Sequence, residues 1–333
     1  MHTCVSSILH QSHPDFELIV VDDGSDNGIE RYCDALGKEF GIKVIHQPNQ
    51  GLSSVRNIGM ETSSGEWIVH VDGDDWVDSR LVESLANSSA DSGTDIVVWG
   101  FYVVNGKRKQ ELLLNDKEAF GESYEDLKER VLCSILDNDA SFRNLALNTS
   151  WGKAYRRSFI EKHHLRYDIR LRRAQDAVYN LYAFSDAGKV AYIDRALNYY
   201  RTDNVSLSRG YNPRSYAFLR LTALAVEEFA ARESTPARVK EASLIFEERC
   251  FRMINEQLYM PSENGLSFGR RKQQFLAGIG TEPFRNAFLY APYRDGLKNR
   301  VVDWLYKKKL FEGIYIYSRV VSWVRKMKAM LPM

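Results

Sequence analysis

The chain has no excess of charge of either sign: 45 Lys and Arg face 44 Asp and Glu across 333 residues, a formal net charge of +1. Nucleic-acid binding relies on a basic excess gathered on one face, so no nucleic-acid partner is expected. Cysteine is scarce as well. Cys4, Cys33, Cys133 and Cys250 stand far apart with no C-x-x-C pair, which argues against a disulfide framework and a zinc site and fits a reducing compartment. No run of about 18 apolar residues occurs, so no membrane-spanning helix is expected. The N-terminus shows no basic segment followed by an apolar run, so no secretory signal is expected either. A cytoplasmic location is expected from these together, with peripheral attachment to the inner face of the plasma membrane as the alternative. Internal repeats and low-complexity linkers are also lacking. What remains is globular composition, 44% hydrophobic and 27% charged, enough for one large domain or two modest ones with a sizeable core.

Apolar runs and helical patterns alternate in the first third. Residues 16–21, 42–46 and 67–71 read as strands, and 29–40 and 52–62 as helices. Such alternation predicts a mostly parallel α/β sheet, with ligands at the carboxyl ends of its strands. Two acidic clusters fall at that edge, Asp22-Asp23 and Asp72-Gly73-Asp74-Asp75. A longer strand is predicted over 95–104, then a polar loop and a helix over 123–136. From about residue 211 the pattern becomes helical, over 217–232 and 237–258. The expected organisation is therefore 1–95, 96–210 and 211–333.

Three carboxylates within four residues at a strand end repel one another unless a cation sits among them, and oxygen ligands suit Mg²⁺ or Mn²⁺. An Asp-Gly surface turn explains the same residues. In Asn49-Gln50-Gly51-Leu52-Ser53-Ser54-Val55-Arg56-Asn57-Ile58-Gly59, Arg56 lies early in a helix, where it reaches an anionic phosphate or a uracil edge, or stays solvated. Asp22-Asp23-Gly24-Ser25 serves a base or ribose hydroxyl, or is a helix cap and turn. His70 is expected to pack beneath the strand ends. His163 and His164 read as solvated surface, and His46 receives no role.

In this order, Val-Asp-Asp-Gly-Ser, then Asn-Gln-Gly-Leu-Ser-Ser-Val-Arg-Asn-Ile-Gly, then Val-Asp-Gly-Asp-Asp closely resemble family 2 of the GT-A glycosyltransferases. The resemblance runs from about His2 to Asn204 and is strongest up to Trp76. It implies that Asp22 and Asp23 contact the uracil end of a nucleotide-diphosphate sugar, a UDP-sugar. It places Arg56 in the nucleotide pocket, and gives Asp72 and Asp74 the ribose and a divalent metal, with Asp75 a further candidate. Trp151-Gly152-Lys153-Ala154-Tyr155 is similar to the family's Trp-Asn-Lys-Leu-Tyr, departing at Gly152 and Ala154. Gln175-Asp176 is similar to its Glu-Asp helix start, where the Asp is the catalytic base. Tyr199-Tyr200-Arg201 matches its Tyr-Arg strand end. The implied reaction is an inverting displacement in which Asp176 takes the acceptor proton. With Gln175 in place of the usual Glu, Asp176 loses a like-charged neighbour and is expected to have a lower pKa.

Two other enzyme classes lack their signatures. A sugar-1-phosphate nucleotidyltransferase needs a Gly-rich basic loop near the N-terminus, and a Rossmann dehydrogenase needs G-x-G-x-x-G after the first strand. A degenerate relative that binds a nucleotide sugar or a partner transferase without turnover is the non-enzyme alternative. The expected acceptor is a glycan or lipid-linked glycan of a surface polysaccharide, by family analogy alone. From Ile314 to Leu331, Ile316, Val320, Trp323, Met327 and Met330 share one helix face and Arg319, Arg325 and Lys326 another, after Lys307-Lys308-Lys309. Such a segment over 307–331 either lies on an anionic membrane surface or docks on the catalytic domain. Finally, His2–Leu9 resembles the helix after the family's first strand, which ends in Pro-x-Tyr-Asn and has no counterpart here. A gap in the sheet between the strand at 16–21 and the strand before Asp72 is expected, as in an N-terminally shortened chain.

Overall fold

A computed structural model describes residues 1–26, 28–88, 93–114, 123–137, 142–203 and 210–330. They fall into two compact units, Met1–Val205 and Ser206–Met333. The first holds α1 (His2–Leu9), β1 (Ile19–Asp22), α2 (Ile29–Phe40), β2 (Lys43–His46), α3 (Leu52–Thr62), β3 (Trp67–Val69), β4 (Trp76–Val77) and α4 (Leu81–Ser88). It continues with β5 (Ile96–Asn105), β6 (Arg108–Leu112), α5 (Tyr124–Asp137), β7 (Lys153–Arg156), α6 (Arg157–Lys162), α7 (Gln175–Asp186) and β8 (Val190–Arg201). The helix α2 shows how sequence sets these bounds. Cys33 and Leu36 bury one face, and Gly41, at φ 66°, supplies the left-handed residue that ends it.

β1 and β2 form a parallel pair, while the other strands make a six-stranded sheet in the order β3-β7-β5-β8-β4, with β6 also on β5. Among the described residues only β1/β2 and β5/β8 are parallel; β3/β7, β4/β8, β5/β6 and β5/β7 are antiparallel. The mostly parallel sheet expected from strand–helix alternation is thus corrected to a mixed one. One reason is local. β5 and β6 are joined only by Gly106 and Lys107, a hairpin connection too short for parallel strands. The strands at the ligand edge are also shorter than the apolar runs, so β3 stops at Val69 and leaves residues 70–75 as loop.

The sheet is divided where the sequence leads one to expect a gap: among the described residues, β1 pairs only with β2 and β3 only with β7. Glu17, just before β1, links the two parts through its carboxylate, which accepts from the Gly65 N–H at 2.9 Å and the Ser64 hydroxyl at 2.9 Å. At the centre lies β5, whose Ile96, Val97, Val98 and Trp99 are fully buried. A strand covered on both faces reads as a continuous apolar run, as this one does.

The second unit is helical: α8 (Ser215–Ala230), α9 (Ala237–Ile254), α10 (Phe268–Ile279), α11 (Phe284–Tyr290), α12 (Leu297–Lys307) and α13 (Phe311–Met330). Its core is aromatic. The fully buried Phe275 ring lies 5.3 Å from Phe251, 5.1 Å from Phe311 and 6.0 Å from Tyr306. Phe275→Ala should therefore destabilise this unit by about 3–5 kcal/mol, read as a lower urea midpoint. A change under about 1 kcal/mol would mean that the neighbours collapse into the cavity. Among the described residues, no helix is long and apolar enough to cross a membrane.

Candidate active site

Arg56 occupies the second turn of α3, and its side chain is only 6% exposed. A buried guanidinium needs anionic partners, and it has two. Nη1 donates to Asp176 at the start of α7, and Nη2 lies 3.4 Å from Asp72 in the loop after β3. Three segments distant in sequence therefore meet on one cation. The helix α3 is held to the chain before α7 by its own polar residues. Asn57 donates to the Tyr167 carbonyl at 2.8 Å and accepts its N–H at 2.9 Å, while Ser53 donates to the Leu171 carbonyl at 3.1 Å. The Arg56 guanidinium also sits 5.3 Å from the centre of the Tyr167 ring, which stacks on Tyr179 at 4.0 Å. Solvation, the alternative for Arg56, does not hold. His70 packs edge-on against Tyr167, as expected, and burial pushes its pKa down to about 3, so it stays neutral beside Arg56.

Burial raises Asp176 to about 6, more than the Arg56 cation and the Ser150 N–H lower it. Gln175, buried at the helix start, adds no like charge beside Asp176, so the rise comes chiefly from desolvation, with Asp72 adding to it. Beside Asp176 lies the turn that carries Trp151 and Lys153. The Lys153 ammonium, fully buried, donates to the carbonyls of Ala146, Thr149 and Trp151 at 3.1, 2.6 and 2.9 Å, and burial brings its pKa down to about 7. Gly152 adopts φ 78°, which Asn also tolerates better than most residues, so this departure from the family pattern keeps the turn. Trp151 is buried, with Tyr200 stacked on it at 5.3 Å.

The acidic loop does not gather all its carboxylates. Asp72 is two-fifths exposed and Asp74 exposed, whereas Asp75 is buried and accepts the Arg201 N–H at 2.8 Å. Burial, reinforced by Asp74 and Asp72, raises Asp75 to about 7. Asp75 thus fastens the end of β8, so the expected gathering of three carboxylates is corrected: Asp72 and Asp74 are the acids of this loop that reach solvent. Among the described residues no three His, Cys, Asp or Glu side chains form a ready metal cage. Arg201 directs its guanidinium over Trp76, 5.1 Å from the ring centre.

The first acidic pair shapes its own loops. Asp23 accepts from the N–H groups of Gln50 and Gly51 at 2.8 and 2.7 Å, fixing the entry to α3. Asp22 is buried; burial raises its pKa, but Ser25 and His46 outweigh that and lower it. His46 bridges Asp22 at 2.9 Å and Asp34 at 3.1 Å, contacts that raise its own pKa. The signal that marks His46 is not local to the sequence: it is the strand register, which sets His46 opposite Asp22. Among the described residues no hydrogen bond or ion pair joins Asp22 or Asp23 directly to Asp72; loop 47–51 and α3 connect the two groups.

Comparison with known proteins agrees with this architecture. Residues 1–163 match the family model "Glycosyl transferase family 2". EpsH of Bacillus subtilis (strain 168) is 28% identical over 287 residues, 84% of this chain and 78% of that one. EpsJ of the same organism, named an uncharacterized glycosyltransferase, is 34% identical over 210 residues, 62% of this chain and 58% of that one. In structure, Staphylococcus aureus TarS 1-349 in complex with UDP-GlcNAc superposes with a TM-score of 0.60 at 18% identity, over 92% of this chain and 83% of that one. The fold is GT-A-like, a mixed sheet flanked by helices with a helical C-terminal region. The protein is a glycosyltransferase, and its residues 1–163 match family 2.

Proposed function

We propose that this transferase moves a sugar from a UDP-sugar to a hydroxyl of a glycan or lipid-linked acceptor, with inversion, in the building of a surface polysaccharide. The observation that carries the reading is the Arg56 bridge between Asp72 and Asp176: one cation joins the proposed donor loop to the proposed base. Residues 1–95 form the donor half and 96–210 the acceptor half. A bound UDP-GlcNAc in the TarS structure supports a nucleotide-sugar donor here.

Asp176 takes the proton of the acceptor hydroxyl through its carboxylate as that oxygen forms its bond to the anomeric carbon and the bond to the nucleotide oxygen breaks. Arg56 holds Asp176 ionised and in place, and its planar fork is able to meet diphosphate oxygens. Lys153 keeps the Ser150 N–H aimed at Asp176 by fixing the turn. Asp22 and Asp23 frame the nucleoside end, and Asp72 the ribose. Asp72 and Asp74 fit a Mn²⁺ or Mg²⁺ ion, since hard cations at phosphates accept one or two protein carboxylates and take their other ligands from phosphate and water. Such an ion supplies neutralisation of the departing diphosphate. Trp151 and Tyr200 offer the acceptor side an aromatic wall.

The test is release of UDP from UDP-sugars, scored with and without Mn²⁺. Chelation or Asp74→Ala should lower acceptor-dependent release by roughly 100-fold or more while the melting temperature stays within a few degrees. If no UDP-sugar binds, or if chelated protein transfers at full rate, the donor or the metal assignment respectively is wrong.

A further inference from the structure

The second unit ends in two helices that each leave an apolar row uncovered. On α12, Asp303 and Tyr306 turn inward and are buried, while Leu297, Val301 and Trp304 are exposed at i, i+4 and i+7. α13 repeats the arrangement. Phe311 and Ile314 are buried and dock its first turn, but Ile316, Val320, Trp323 and Met327, at i, i+4, i+7 and i+11, are exposed, Ile316 by 63% and Trp323 by 62%. Scattered exposed apolar residues are ordinary; two helices that each present an apolar row to water are not. The helix α13 is therefore anchored mainly through its N-terminal part, where Phe311, Ile314 and Tyr315 pack, Tyr315 against Phe268 at 5.2 Å.

Charge says what covers these rows. Residues 294–330 hold ten Lys and Arg against three Asp and Glu in a chain whose total is +1. All three acids are already paired, Asp303 with Arg252 and Arg294, Glu312 with Lys272 and Asp295 with Arg300, while Lys307 turns to Glu248. The basic excess of the segment as a whole favours an anionic occupant. A second copy would bring one basic segment against another, which opposes self-association. Tryptophans within both rows suit the boundary between water and acyl chains, where an apolar ring body and an N–H are each satisfied.

We propose that α12 and α13 form a peripheral docking site for an anionic phospholipid surface, with Leu297, Val301, Trp304, Ile316, Val320 and Trp323 entering the acyl boundary and the lysines and arginines meeting the headgroup phosphates. Docking of this kind holds an enzyme beside a lipid-linked acceptor, but it does not depend on the transferase reading.

The test is co-flotation of the full chain with vesicles of phosphatidylcholine alone and of phosphatidylcholine mixed with phosphatidylglycerol, at low and high salt, alongside the mass in solution. The chain should float with the anionic vesicles only, and high salt should weaken this. Trp304→Ser and Trp323→Ser combined should weaken partitioning roughly tenfold or more, with circular dichroism and UDP-sugar binding unchanged. Failure of the unaltered chain to float on anionic vesicles overturns the proposal. So does a dimer that these substitutions dissociate, because the rows would then be an interface between copies. Either result leaves the donor-binding measurements intact as a separate test of the transferase reading.

Discussion

Asp176→Asn should lower acceptor-dependent transfer by roughly 10²–10⁴-fold, the range expected for losing a general base. Asparagine keeps the shape and accepts the Ser150 N–H, but it cannot take a proton. Donor affinity should change little, since Asp176 is not a proposed donor ligand, and UDP titration by calorimetry reads that directly. The pH profile is a second signature. With Asp176 raised to about 6, the carboxylate is the working form, so transfer should decline as pH falls through about 6, and this acid limb should be absent from any residual activity of the variant. Turnover close to the unaltered rate would place the base elsewhere.

The helices α2 and α3 were legible because their apolar spacing and glycine stops are local properties, and the bounds predicted from sequence, 29–40 and 52–62, are those observed. The direction of the strands was not legible in the same way. Alternation of strand and helix does not reveal that β7 lies between β3 and β5, because that pairing joins residues about 60 to 90 positions apart. The site shows the same division. Asp22, Arg56, Asp72 and Asp176 are marked by motif, yet the sequence does not show that one arginine touches two of those acids. Burial also decides two charges that neighbours along the chain do not reveal. Asp75 is one of three carboxylates in its loop, yet it faces the backbone of Arg201. Asp176 is raised chiefly by desolvation. His46 was invisible for a related reason, since a histidine at a strand end acquires a partner only through register.

Replacement of Arg56 should have the second large effect, and it separates charge from shape. In Arg56→Met the buried stem is retained and the cation is lost, leaving Asp176 partly buried with only Lys153 as a nearby cation. Burial raises the Asp176 pKa and Arg56 lowers it, so the variant's value must lie above about 6. At pH 7 more of the base is then protonated, and the acid limb of the transfer profile should move to higher pH, with part of the lost rate recovered under alkaline conditions. Stability follows the same sign. An acid whose folded pKa exceeds its unfolded value of about 3.9 loses stability as pH rises between the two, and the variant's wider interval extends that loss upward. The unfolding free energies of the two proteins should accordingly converge near pH 4 and separate as pH rises, by about 1–3 kcal/mol at pH 8. Donor affinity should fall as well if the guanidinium meets diphosphate oxygens, whereas Arg56→Lys should restore the acid limb more fully than the affinity, because a point charge lacks the planar fork. An Arg56→Met protein whose transfer profile and stability run parallel to those of the unaltered chain at every pH would show that Arg56 does not control the ionisation of Asp176.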